Sequence, residues 1–272
     1  MSKCKIIAIA NQKGGLAKTT TTINLGAGLV RSGKKVLVID FDEQGALTTS
    51  LGFNKDEQSI TIKTLLEKTM KEEQITDKEG ILTNFEGVDL IPANEELESL
   101  ELHLVSHINR EYVLANYLKK MKENYDYILI DCKPSLSVLT LNALASADSV
   151  IIPVQAQYLS INGMTQLIQT IDKVKAFINP RLKIEGILLT LVDQQTRLAK
   201  TTEETLRKQY GNVLKIFKSV IPVATKVAEA SIVGKSIYAY QKNNNAAIAY
   251  ENFIKEVQEN REKTRNRDTK CR

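Results

Sequence analysis

A run of five apolar residues at 6–10 leads directly into Asn11-Gln12-Lys13-Gly14-Gly15-Leu16-Ala17-Lys18-Thr19-Thr20, and a helical pattern begins at Thr19. A strand, a glycine-rich loop and a helix in this order leave few folds open, because together they build an anion cradle at the edge of a parallel sheet. Two adjacent glycines let the backbone approach an anion closely. The helix N-terminus presents free N–H groups and the positive end of its dipole. Lys18 brings a cation suited to the β- and γ-phosphates, and Thr19 a hydroxyl suited to Mg2+. On this reading residues 13–20 (Lys13, Gly14, Gly15, Leu16, Ala17, Lys18, Thr19 and Thr20) bind a nucleoside triphosphate, most simply MgATP.

The rest of the chain supports such a fold. Short runs rich in Ile, Val and Leu at 6–10, 36–40, 88–91, 127–131, 149–154 and 184–192 read as strands covered on both faces, with a seventh at 217–221. Helical patterns fall between them at 19–32, 95–122, 136–145, 161–177 and 198–209, and a last one starts at 246 and ends near 262. This alternation predicts an α/β fold, a mainly parallel, twisted sheet with helices on both faces. The 272 residues are 43% hydrophobic, enough for a sizeable core. Without a repeat or a break in composition, one domain is expected over 1–260, followed by a basic, frayed tail at 261–272. The charged, weakly patterned stretch 54–84 reads as a surface excursion.

Two more segments complete a site. The second strand ends in Ile39-Asp40-Phe41-Asp42-Glu43-Gln44-Gly45, and the fourth delivers Asp131 in Ile128-Leu129-Ile130-Asp131-Cys132-Lys133-Pro134-Ser135-Leu136. Ligands of parallel α/β sheets bind at the C-terminal edge, where these carboxylates stand. Asp131 has the setting of a carboxylate that holds the shell of a phosphate-bound Mg2+.

The loop departs from the generic pattern G-x-x-x-x-G-K-[ST], with Gln12 and Ala17 at the glycine positions and an additional Lys13. In this form, K-G-G-x-x-K-T-T, it resembles the deviant phosphate loop of the ParA/MinD superfamily of P-loop ATPases. The resemblance extends over nearly the whole chain and is strongest to the short ParA/Soj-type partition ATPases. It implies that Lys13 reaches the phosphates held by a partner subunit, so that ATP joins two chains into a homodimer and hydrolysis releases them. It further implies catalytic roles for Lys13, Lys18 and Asp42, with Asp42 acting on the attacking water. Thr19, Asp40 and Asp131 would hold Mg2+, the carboxylates through water, and Pro222 would lie against the nucleotide. Glu43 and Lys133 stand where the family usually has proline, and Gln157 where it commonly has Glu. Ala17 is a further concern: if its position requires φ > 0, its Cβ costs on the order of 1 kcal/mol.

The resemblance also implies non-specific DNA binding by the ATP dimer and stimulation by a ParB-like partner. A net charge of +5 permits this without demanding it. Where the family carries a basic stretch after Ile-Pro, this chain keeps only Lys226; Lys215, Lys218, Arg197 and Lys235 are the other candidate DNA contacts. The tail holds six cations and two acids but no apolar face, so it is not a membrane-targeting helix. No apolar run approaches the roughly 20 residues of a membrane span. Three scattered cysteines form neither a disulfide framework nor a metal pattern. His103 and His107 have helical spacing but no further ligands beside them. The expectation is a cytoplasmic, nucleoid-associated ATPase for DNA partition. The alternatives are a positioning ATPase acting on a protein cargo, or a weakly hydrolysing nucleotide-binding scaffold.

Overall fold

A computed structural model describes residues 4–155, 158–193 and 196–270, with side chains described for all of these except 158–163, 197–200, 202 and 264–270. Gln157 and the side chain of Arg197 therefore lie outside the described residues. Eight strands form one sheet: β1 (Lys5–Ile9), β2 (Val36–Phe41), β3 (Leu82–Thr83), β4 (Asp89–Ile91), β5 (Tyr127–Cys132), β6 (Ser149–Gln155), β7 (Lys183–Val192) and β8 (Ile216–Pro222). Their order is β3-β4-β2-β5-β1-β6-β7-β8. All neighbours are parallel except β3 and β4. The seven strands read from the sequence are present. The eighth, β3, is two residues long and too short to show a period.

The lack of alternation in the central strands has a direct cause. Successive side chains point to opposite faces, and both faces are covered. Ile6 and Ala8 of β1 join Ile128 and Ile130 of β5 in one core, while Ile7 and Ile9 join Tyr127 and Leu129 in the other. Each fully buried aliphatic side chain of this kind contributes on the order of 2 kcal/mol.

The helices follow the chain as α1 (Lys18–Arg31), α2 (Ala46–Ser50), α3 (Ile62–Met70), α4 (Leu97–Val105), α5 (Val113–Met121), α6 (Val138–Ser146), α7 (Tyr158–Phe177), α8 (Arg197–Tyr210), α9 (Thr225–Ile232), α10 (Ile237–Gln241) and α11 (Asn245–Lys270). One face of the sheet is covered by side chains from α3 through α7, and the other by those of α1, α10 and α11. Helices α1 and α11 meet closely: a Cβ at Gly28 would stand 2.0 Å from Ile254 Cδ1.

Three expectations need correction. The stretch 54–84 is not merely a surface excursion, since α3 lies within it and buries Ile62, Leu65 and Leu66 completely. The helix expected over 95–122 is two helices, because Asn109 adopts the left-handed conformation (φ 58°) and the chain turns there. The boundary at 260/261 does not separate a tail from the domain. Helix α11 continues to Lys270, and Arg261 stacks 4.3 Å above the ring of Tyr127.

Candidate active site

The phosphate loop connects β1 to α1 and is fixed from beneath. Asn11 is buried; its side-chain amide donates to the Pro153 carbonyl of β6 (2.8 Å), and its Oδ1 accepts from the Lys13 N–H (3.2 Å). On the other side the Thr190 hydroxyl of β7 donates to the Leu16 carbonyl (3.1 Å). Gly14 and Gly15 are exposed, and a Cβ added at either would meet no atom within 4 Å. Gly15 has φ 72°, a conformation that glycine adopts without strain. The result is an open cradle of backbone over the start of a 14-residue helix.

Ala17, the residue immediately before α1, has φ 59° and ψ 33°. The positive φ considered from the sequence is therefore present, with its Cβ strain. Lys18 is buried, and its ammonium donates to the Lys13 carbonyl at 3.2 Å. Burial disfavours the charged lysine, and Asp131, Cys132 and Asp42 oppose that effect without reversing it. Lys13 is exposed, and among the described residues its ammonium has no ion-pair partner.

The carboxylates gather at the ends of adjacent strands. Asp40 and Asp131 sit opposite each other in the β2–β5 ladder, both buried. Asp131 Oδ2 accepts from the Thr19 hydroxyl at 2.6 Å. Asp40 Oδ2 accepts from the N–H and hydroxyl of Thr48 in α2, at 2.8 and 2.7 Å. Burial pushes both carboxyl groups well above the usual carboxylate range; Asp131 adds to the effect on Asp40, and the Thr19 hydroxyl and Lys18 moderate it at Asp131. Asp42 is half-buried and also raised by burial, with its turn closed by the Gln44 N–H donating to Asp42 Oδ1 (3.1 Å). Two buried carboxyl groups and a threonine hydroxyl form a hard oxygen donor set. That set suits a divalent cation of the Mg2+ type beside a phosphate.

Pro222 is the last residue of β8 and borders a groove of about 460 Å3. Its lining also includes Gln241, Asn243, Asn244 and Asn245, which sequence reasoning missed. The signal was present as three consecutive asparagines where the last helix begins. Asn11 and Thr48 were missed as well, since neither belongs to a motif.

The candidate DNA contacts are not gathered into one patch. Lys226 pairs with Glu229 at 2.7 Å, and Glu229 also accepts from the Tyr240 hydroxyl (2.7 Å). Lys235 is exposed beyond the other end of α9. Lys215 lies before the opposite end of β8, where its ammonium donates to Asn260 Oδ1 (2.5 Å) above the Phe217 ring. Lys218 is exposed in the middle of that edge strand, and its N–H donates to Glu256 (2.9 Å). His103 binds Glu67 at 3.0 Å, and no group of potential metal ligands surrounds it or His107 among the described residues. Cys4 and Cys132 are buried thiols. Among the described residues no helix is long and apolar enough to cross a membrane.

Comparison with known proteins agrees with this geometry. A family model described as an AAA domain matches residues 4–184. The sporulation initiation inhibitor protein Soj of Bacillus subtilis is 42% identical over 260 residues, covering 94% of this chain and 99% of its own. The chromosome partitioning protein ParA of Caulobacter vibrioides is 39% identical over 255 residues, covering 93% of each chain. Among solved structures, cobyrinic acid a,c-diamide synthase from Mycobacterium smegmatis with bound ADP and magnesium superposes with a TM-score of 0.80 at 34% identity, covering 93% of both chains.

Proposed function

The chain belongs to the ParA/Soj-type family of P-loop ATPases, and from that premise we propose that it is an MgATP-dependent dimerising switch for plasmid or chromosome partition. The observation that carries this reading is the pairing of a buried Lys18 with an exposed Lys13 on one loop. Lys18 serves the phosphates in its own cradle, and the exposed Lys13 is free to serve those of a second subunit. Thr19, Asp131 and Asp40 would hold Mg2+, which when bound neutralises phosphate charge. Asp42 orients the attacking water, and the two lysines stabilise the negative charge that builds up during phosphoryl transfer. Pro222 and the asparagines that share its groove would border the space for the base. The ATP dimer binds DNA through phosphate contacts, and a ParB-like partner stimulates hydrolysis; nucleoid association follows from the DNA binding.

A second reading, a positioning ATPase acting on a protein cargo, is favoured by one observation. Lys226, the cation kept from the family's basic stretch, is already paired with Glu229. Retention of the protein on non-specific DNA, compared in ATP, a non-hydrolysable analogue and ADP at two salt concentrations, separates the readings. Partition predicts retention with ATP and with the analogue but not with ADP, and a steep loss at higher salt. An ATP dimer indifferent to DNA supports the cargo reading, and equal retention in every nucleotide state overturns the switch.

A further inference from the structure

Glu43 and Lys133, the two residues that replace the family's prolines, meet in space. Strands β2 and β5 are neighbours, with Asp40 opposite Asp131 and Phe41 opposite Cys132. Continuing both chains past the ladder brings the next residues together. Lys133 Nζ stands 2.8 Å from Glu43 Oε2 and 3.3 Å from Glu101 Oε1 on α4. The three side chains are only 11%, 22% and 25% exposed. Burial disfavours the Lys133 ammonium, but the two carboxylates more than reverse that and hold it charged. A solvent-exposed pair would contribute little. Here, loss of Lys133 leaves two largely buried carboxylates unmatched.

A second cation reinforces the same turn: Lys55 donates to the Gln44 carbonyl (3.2 Å) and pairs with Glu95 (3.3 Å). Asp42 is thus held from both sides. Upstream, Asp40 is anchored on Thr48; downstream, Glu43 and Gln44 are tied to Lys133, α4 and Lys55.

We propose that Lys133, clasped by Glu43 and Glu101, is a positioning residue that holds the Asp42 carboxylate in its working place at the phosphate end of the site. The inference rests on the reading of Asp42 given under Proposed function. Displacing a reacting group by about 1 Å can cost up to about a hundredfold in rate without weakening substrate binding. The clasp should therefore act on kcat and leave nucleotide affinity alone.

The test measures single-turnover phosphate release and the affinity for a fluorescent ATP analogue, in the full chain with Mg2+, for wild type, Lys133→Gln, Glu43→Gln, Lys133→Arg and Asp42→Ala. Lys133→Gln and Glu43→Gln should each slow turnover about tenfold with analogue affinity within about twofold of wild type, and Lys133→Arg should recover most of the rate. Thermal unfolding confirms that each variant is folded at the assay temperature, and Glu43→Gln, which keeps the shape, tests the clasp if Lys133→Gln does not fold. Wild-type turnover in both glutamine variants overturns the clasp, as does a parallel fall in rate and affinity, or Lys133→Arg as slow as Lys133→Gln. Asp42→Ala separates the two levels. If it abolishes turnover while the glutamine variants are unaffected, only the clasp fails. If Asp42→Ala itself turns over normally, the reading of Asp42 fails and the clasp with it.

Discussion

The Thr19 hydroxyl donates to the Asp131 carboxylate at 2.6 Å, joining the first turn of α1 to the C-terminal end of β5. Both belong to the proposed Mg2+ donor set, and Asp131 is buried beside a second carboxylate, Asp40. Asp131→Asn replaces a carboxyl group whose pKa burial raises to about 7 with a neutral amide, while leaving an oxygen for Thr19. The nucleotide-free variant should unfold at or above the wild-type temperature at neutral pH and above, because burial disfavours the ionised carboxylate that the amide replaces. Mg2+-dependent nucleotide affinity should fall at least about tenfold, on the order of 1.4 kcal/mol. Titrating Mg2+ at fixed nucleotide, alongside thermal melts, checks both halves.

Ala17 carries left-handed strain at φ 59°. Ala17→Gly relieves it, and even after the entropy glycine adds to the unfolded chain the variant should be more stable by up to about 1 kcal/mol. Chemical denaturation reads this as a higher midpoint at unchanged slope. Nucleotide affinity should tighten as well; weaker binding by the glycine variant would show that the Cβ is useful in the cradle.

Lys13 contributes its backbone to the loop, donating to Asn11 and accepting from Lys18, while its side chain is exposed. Lys13→Ala should therefore leave stability within about 0.5 kcal/mol of wild type. ATP-dependent dimerisation and turnover should be lost. Light scattering with ATP and with ADP decides it, and a dimer that survives the substitution would place the chain outside the proposed mechanism.

Thr48 is fully buried; its hydroxyl donates to Asp40 (2.7 Å) and accepts from the Ala93 N–H (3.1 Å). Thr48→Val leaves the Ala93 N–H unsatisfied and removes one of the two bonds to Asp40 Oδ2, the backbone N–H bond remaining, and should cost about 1–3 kcal/mol. Thr48→Ser keeps the hydroxyl and should retain most of that. Urea unfolding of the pair measures the difference, and equal losses would assign the effect to packing rather than to the hydrogen bonds.

Much of the fold was legible because its signals are local. Apolar runs such as Ile128–Leu129–Ile130 lack alternation because each face of the strand meets its own core. Helix α3 was not legible. Ile62, Leu65 and Leu66 form a short stripe in a charged segment, and its burial comes from packing against the rest of the core. The break at Asn109 was hidden likewise, since asparagine tolerates a positive φ without announcing it.

The sequence by itself determined the alternation of strands and helices, the anion cradle after β1 and the carboxylates available to it. Each of these depends on residues close together in the chain, through side-chain period, backbone freedom at glycine and the ends of apolar runs. Only the tertiary structure decided that β2 lies beside β5. That neighbourhood puts Asp40 against Asp131 and turns Glu43 and Lys133, two separate departures in sequence, into one ion pair. Strand order is a long-range choice made by packing, and no local pattern near either residue encodes it.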